Sequence, residues 1–282
     1  MKVDPRAIAG IERKITRADE HFAVLDREMR AWLEDGPDRA WWADPEVHDQ
    51  GREHIWRLRF TRPIPVDWAV LLGEAIHDLR SALDQSVYWL TVDWGRKPLK
   101  NSQFPVNSSR ADFERRKKNG AWTNDSGMHK IRGVGPGPQA FIEALQPYPQ
   151  RYRCAECIAL RTVHDLWNQD KHRLVHLWGL RFADEQLELP ANIAEDCVMR
   201  VDRRVLHDGA IPFRLICDPP HREVQVRGEV SPGLTVYAGK GRAGNLKLTE
   251  IAGYTADVIR KLVNAIGRQD DPINLTVWTA KD

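Results

Sequence analysis

Apolar residues return at three- and four-residue steps along the N-terminal stretch, with Ile8, Ile11, Ile15, Phe22, Leu25, Met29 and Leu33 on one face. The spacing predicts a long amphipathic helix from Pro5 to about Leu33, opened by a proline suited to the first turn and stopped at Asp35-Gly36-Pro37. Residues 54–61, HIWRLRFT, alternate Trp56, Leu58 and Phe60 with Arg57, Arg59 and Thr61, which predicts a strand with one buried face. Pro63 and Pro65 end it. From Asp67 to Val92 a continuous stripe of Leu72, Ile76, Leu79, Leu83, Val87 and Leu90 predicts a core-packed helix.

Residues 95–137 lack a period. Gly, Pro, Asn and Ser clusters surround one short helical stretch, Arg110 to Lys118, so this reads as a long surface excursion. The Gly133–Pro138 run reads as a rigid turn or as a cradle of backbone N–H groups for an anion. A short helix, Gln139 to Leu145, follows and is closed by Pro147 and Pro149. A third long helix is predicted from Cys154 to Trp178, with Leu160, Val163, Trp167, Leu174 and Leu177 on its buried side and Asp170 in the same row, where a carboxylate needs a partner.

Beyond Gly179 the period changes to two. LELP, CVMRV, FRLIC, EVQVRGEV and LTVYAG are short β-type runs between turn residues, predicting an antiparallel sheet over 180–240. A helix from Thr249 to Ile266 and a last strand, INLTVW, complete the chain. The fold class is α+β, with a helical domain over 1–178 and a β-rich portion with a C-terminal helix over 179–282.

Composition narrows the partners. At 282 residues, with 42% apolar and 29% charged residues, the chain has a folded protein's balance and the length for one large or two small domains. The charged start carries no apolar h-region, and no stretch reaches the ~18 apolar residues of a membrane span, so the expected setting is the cytoplasm with no membrane contact. Lys plus Arg total 42 against 40 Asp plus Glu, so nucleic-acid binding would need a local patch. The clearest is Arg115, Arg116, Lys117 and Lys118, followed by His129-Lys130-Ile131-Arg132. That run reads either as solvated surface or as phosphate-contacting residues. A reducing cytoplasm argues against disulfides among Cys154, Cys157, Cys197 and Cys217. The Cys154-Ala-Glu-Cys157 spacing is compatible with zinc, with redox chemistry, or with two thiols at a helix start. No nearby histidine completes a ligand set, and no metal or cofactor is expected.

Two polar ridges could carry chemistry. His77, Arg80 and Asp84 fall on one face of the second helix beside Asp78 and Gln85. Arg161, His164, Asn168 and His172 recur on the third, flanked by Lys171 and Arg173. Converging, they would supply a cation for phosphate oxygens and an imidazole for proton transfer. Read structurally, Arg80 with Asp84 is an i,i+4 ion pair, and His164 with Asn168 a hydrogen-bond network that fixes packing.

The segments GEAIHDLRSALDQSVYWL (73–90) and LRTVHDLWNQDKHRLVH (160–176), with IRGVGPGPQAFIEALQPY between them, resemble a widespread group of uncharacterised bacterial proteins. An arginine followed after four residues by a histidine on a helix is similar to the signature of the HEPN superfamily. The resemblance covers about residues 66–178 and implies a helical, dimeric, metal-independent ribonuclease. Arg80 matches the family arginine, while Gln85 stands where the histidine would be. Glutamine hydrogen-bonds a phosphate or a base but cannot shuttle a proton.

Three readings therefore stand open. One is a metal-independent ribonuclease of toxin or defence type, with Arg80 on the phosphate, His172, His164 or His77 moving the proton, and Asp84 in the same cluster. The second is a non-catalytic, degenerate HEPN-like module, a homodimer that binds RNA, a nucleotide or a protein through the same cleft and the Arg115–Lys118 patch. In both, Gln85, Asn168, Lys171 and Arg173 contact the ligand. The third is a metal-dependent hydrolase using His77, Asp78, Asp84, His164 and Asp170. The chain has no Walker loop, no GxSxG elbow and no dinucleotide fingerprint after a strand.

Overall fold

A computed structural model describes residues 3–34, 40–148, 154–171, 177–189, 193–202, 208–224, 227–236 and 248–273. The chain divides into two compact units, one of Met1–Ala23, Val70–Val175 and Ala238–Asp282, the other of Val24–Ala69 and His176–Tyr237. The mixed α+β class is observed, with seven helices, a four-stranded antiparallel sheet and a two-stranded pair among the described residues. The units interleave along the chain, where the hydrophobic pattern suggested a single division at residue 178.

The first unit is helical. Helix α1 (Pro5–Glu34) presents Ile11, Ile15, Ala18 and Phe22 to the interior, following the three-and-four spacing. Helix α2 (Val66–Asp93) buries its whole predicted stripe, Leu72, Ile76, Leu79, Leu83, Val87 and Leu90. Each such side chain contributes roughly 2 kcal/mol of apolar burial, so packing and not intrinsic propensity holds this helix. Ser86 and Thr91, also buried, donate to the carbonyls of Ala82 and Val87 one turn back. That satisfies hydroxyls that would otherwise oppose burial.

Residues 95–137 are mostly exposed or half-buried, yet they also send side chains into the core. Short helices α3 (Arg110–Phe113) and α4 (Gly127–Ile131) punctuate them, and Phe104, Phe113, Ile131 and Val134 are buried. Ser109 and Ser126 cap these helices through their side-chain oxygens, so the polar residues taken as loop markers are N-caps.

Helix α5 (Pro136–Ala144) begins at Gly135 as its N-cap with Pro136 at the first position. The N–H of Gly135 donates to Gln269 Oε1 at 2.8 Å and that of Gly137 to the Gln269 carbonyl at 2.9 Å. These donors are occupied, so the glycine run is a docking turn and no anion cradle. Helix α6 (Ala155–Asp170) packs with helix α7 (Leu248–Asn264), whose buried face carries Ile251, Val258, Ile259 and Leu262. Helix α6 stops at Asp170, short of the predicted Trp178. Leu177 and Trp178 already belong to a strand, and Gly179, beyond which the period was expected to change, lies inside it next to a register irregularity.

The second unit holds the sheet, in the order β1 (Trp41–His48), β2 (Glu53–Phe60), β5 (Phe213–Cys217), β4 (Cys197–Val201). Strand β1 was not predicted because Pro45 interrupts WWADPEVH. As an edge strand it tolerates the missing donor. Three successive positive φ values at Asp49, Gln50 and Gly51 turn β1 into β2, and a Cβ on Gly51 would collide with the His221 carbonyl. Strands β4 and β5 match CVMRV and FRLIC. Leu58 and Phe213 pack with Trp56 and Phe60, the Trp56 and Phe213 rings stacking at 4.7 Å.

Cys197 and Cys217 face one another directly across β4 and β5, Cα atoms 4.1 Å apart, and are disulfide-bonded. The expectation of four free thiols is corrected by register: antiparallel pairing of two alternating strands places these cysteines on the same inward-facing rung. Strand β3 (Leu177–Glu188) pairs antiparallel with β6 (Arg227–Val236). The predicted strand INLTVW lies, beyond Ile273, outside the described residues. No helix among them is long and apolar enough to cross a membrane.

Candidate anion-binding cleft on helix α2

The predicted polar ridge of α2 lines a cleft of about 300 Å³ formed by His77, Arg80, Ser81, Asp84, Gln85, Tyr88, Ser102 and Trp167. All of these belong to the helical unit. The ridge exists because the helix places residues 77, 80–81, 84–85 and 88 on one side, adjoining the buried stripe.

Arg80 is the centre of the site and is only 1% exposed. Its Nε donates to Asp84 Oδ2 at 3.3 Å, and its Nη2 donates to Asp84 Oδ1 at 2.7 Å and to the Phe104 carbonyl at 2.6 Å. Asp84 Oδ1 also accepts the N–H of Phe104 at 2.9 Å, so residue 104, twenty positions downstream, clamps both partners of the ion pair. The guanidinium carbon lies 5.1 Å from the centroid of the Trp167 ring. Nη1 is buried and has no hydrogen-bond partner among the described residues. A buried donor left unmade costs about 1–3 kcal/mol, more on a charged group, so this nitrogen marks a place where an acceptor oxygen would be stabilised.

The electrostatics favour an anion. Lys171 Nζ sits 3.0 Å from the same Trp167 ring centroid. Burial and the Arg80 charge lower the pKa of both Lys130 and Lys171. Burial pulls Asp84 the other way, raising its carboxyl against the Arg80 charge. Asp84 thus faces three cations, Arg80, Lys130 and Lys171, and Asp125 adds a second carboxylate only toward Lys130. His164 reports the same field: burial, then Arg80, Lys130, Arg161 and Lys171, lower its pKa to about 4. At neutral pH its imidazole is uncharged, accepting from Asn168 at 3.0 Å through Nε2, with Nδ1 buried and unpartnered among the described residues.

The structure sorts the predicted residues. His77, Arg80, Asp84 and Gln85 come together in the cleft, Gln85 donating to Ser81 Oγ at 3.4 Å. His164, Asn168 and Lys171 lie on α6 near it without lining it, and Arg161 is held by Asp165 at 2.7 Å. His172 and Arg173 lie outside the described residues. Asp78 points elsewhere, to Lys14 at 3.4 Å and Arg17 at 3.5 Å on α1. Asp170 is half-buried against Gly73, where a side chain on residue 73 would meet its carboxylate. The predicted metal-ligand set therefore does not converge, and no group of three or more His, Cys, Asp or Glu among the described residues has metal-binding geometry.

The basic run is also rearranged. Arg115 pairs with Asp112 and with Asp125, Arg116 lies 3.3 Å over the Trp122 ring and donates to Gly120, and only Lys117 and Lys118 project as exposed cations without such partners. Pattern reading missed Trp167, which stood as a core residue, and Ser102 and Phe104, which stood in the predicted excursion, and it placed Lys130 only with the basic run. Aromatic and cationic residues interleaved at helical spacing, Trp167 with Lys171, were the available signal.

Comparison of the chain with family profiles, with curated proteins and with solved structures finds no match.

Proposed function

We propose that the helical unit binds a phosphate-bearing ligand, RNA or a nucleotide, in the α2 cleft without cleaving it, as a degenerate HEPN-like module. The observation that carries this reading is the buried Arg80, with one nitrogen unpartnered among the described residues and the charges of Lys130 and Lys171 acting at the same place, where Asp84 is the carboxylate that Arg80 pairs with. Such a site attracts an anion and supplies a charge-assisted donor to it. Two features speak for binding over cutting. Gln85 occupies the position where the resembling family has its histidine, and His164 is neutral with a pKa of about 4, so it donates no proton near neutrality.

A ribonuclease remains the second reading on one observation: His77, one helical turn before Arg80, lines the same cleft and is exposed. The implied homodimer belongs to the resemblance and is read out by sedimentation.

The test is fluorescence anisotropy with a labelled single-stranded RNA and with a mononucleotide competitor at 50 and 200 mM salt, the same samples being run on a denaturing gel with and without EDTA. Binding that weakens steeply with salt while the RNA stays intact supports the module. Chelator-resistant cleavage that disappears in His77→Ala replaces it with the ribonuclease. No binding at low salt sinks both.

A further inference from the structure

The start of helix α6 holds a second constellation, separate from the cleft chemistry. Cys154 is the N-cap and Cys157 the third helical residue, and the N–H of Cys157 donates to Cys154 Sγ at 3.3 Å. That spacing folds both sulfurs onto the first turn, where unsatisfied N–H groups and the positive end of the helix dipole favour a thiolate. The two differ in access: Cys154 is 7% exposed and Cys157 1%. Between them Glu156, itself 3% exposed, brings Oε2 to 3.4 Å from Cys154 Sγ. A buried carboxylate is a poor resident of an apolar interior unless it has a proton to exchange or a donor to accept from. Here it stands beside the more accessible sulfur. Neither sulfur is in a disulfide, unlike those of Cys197 and Cys217.

The geometry points to Cys154 and Cys157 as a reversible two-electron dithiol pair, with Cys154 the attacking sulfur, Cys157 the resolving sulfur and Glu156 the proton acceptor for Cys154. The oxidant is a small disulfide of the glutathione class. Cys154, its proton passed to Glu156, attacks one sulfur of the oxidant. The oxidant's S–S bond breaks and one thiol leaves, taking a proton. Cys157 then attacks Cys154 Sγ and expels the second thiol, which takes the other proton. The protein pair loses two electrons and two protons, and one disulfide becomes two thiols. The Cys154 pKa is lowered overall, the hydrogen bonds from Cys157 outweighing burial and the Glu156 carboxylate, which act the other way.

The test uses the full chain, reduced, freed of reductant and equilibrated in reduced and oxidised glutathione at graded ratios, then acid-quenched, alkylated and mapped by peptide mass. The fragment carrying Cys154 and Cys157 is expected to lose both alkylation sites together and to regain both on reduction. Cys157→Ser is expected to trap glutathione on Cys154, and Cys154→Ser to take it up at Cys157 at least about tenfold more slowly. A wild-type fragment that stays doubly alkylated in every buffer overturns the pair. Equal uptake by the two variants overturns the division of roles. Zinc co-purifying at one equivalent and shielding both thiols overturns the redox assignment, because the sulfurs are then metal ligands.

Discussion

The cleft at Arg80 and the basic run at Arg115–Lys118 both offer cations from the same helical unit, yet they do opposite things with them. Arg115 meets two carboxylates, Asp112 and Asp125, and Arg116 lies on Trp122, so much of that run's charge is balanced locally at the surface. Arg80 is buried, pairs with Asp84, lies in the field of the half-buried Lys130 and the exposed Lys171, and keeps a nitrogen unpartnered among the described residues. A dense run of basic residues is therefore a weaker guide to an anion site than one buried arginine with a donor left unpartnered among the described residues. Low dielectric strengthens each charge interaction around Arg80, whereas solvent screens those around Arg115.

The contrast sets an order of effects. Arg80→Ala leaves Asp84 and the Phe104 carbonyl without their partner, so the account expects a loss of about 3–5 kcal/mol in denaturant unfolding. A loss below about 1 kcal/mol would place Arg80 with the surface arginines.

The pH dependence is the next largest. His164 titrates near 4 in the folded chain and near 6.5 when unfolded, so between those values the unfolded chain binds a proton that the folded one refuses. Stability is thus lost as pH falls from 6.5 to 4, by at most about 3 kcal/mol. Asp84, with its carboxyl raised by burial, changes in the opposite sense, which makes the difference curve between wild type and His164→Gln the quantity to measure. A difference that stays flat over that interval would remove the positive field from the account.

Lys171→Gln takes one cation from the Trp167 ring without opening the core, and should weaken phosphate-ligand binding roughly five- to tenfold with little change in unfolding. Arg115→Ala should move stability by less than about 0.5 kcal/mol and binding by less than about twofold. If the two substitutions trade places, the surface run is the anion site.

Helix α2 was legible because six apolar residues keep one period over its length, and the i,i+4 relation of Arg80 to Asp84 follows from that period alone. CVMRV and FRLIC were legible for the equivalent reason at a period of two. What joined Phe104 to Arg80 was not, because a backbone carbonyl carries no sequence signature and its segment has no period. Nor was the Cys197–Cys217 bond, because it depends on strand register, and a compartment argument weighed against it. Strand β1 hid behind Pro45, whose acceptability depends on being at a sheet edge, a tertiary fact. The unpartnered Nη1, the feature on which the functional reading stands, is an absence of contacts among the described residues and has no sequence signature.

The most direct test is a crystal structure of the protein soaked with a 5′-mononucleotide. The account predicts a phosphate in the α2 cleft with an oxygen within hydrogen-bonding distance, about 3 Å, of the Arg80 guanidinium. A phosphate held instead at Lys117 and Lys118, with the cleft empty at saturating ligand, would contradict it.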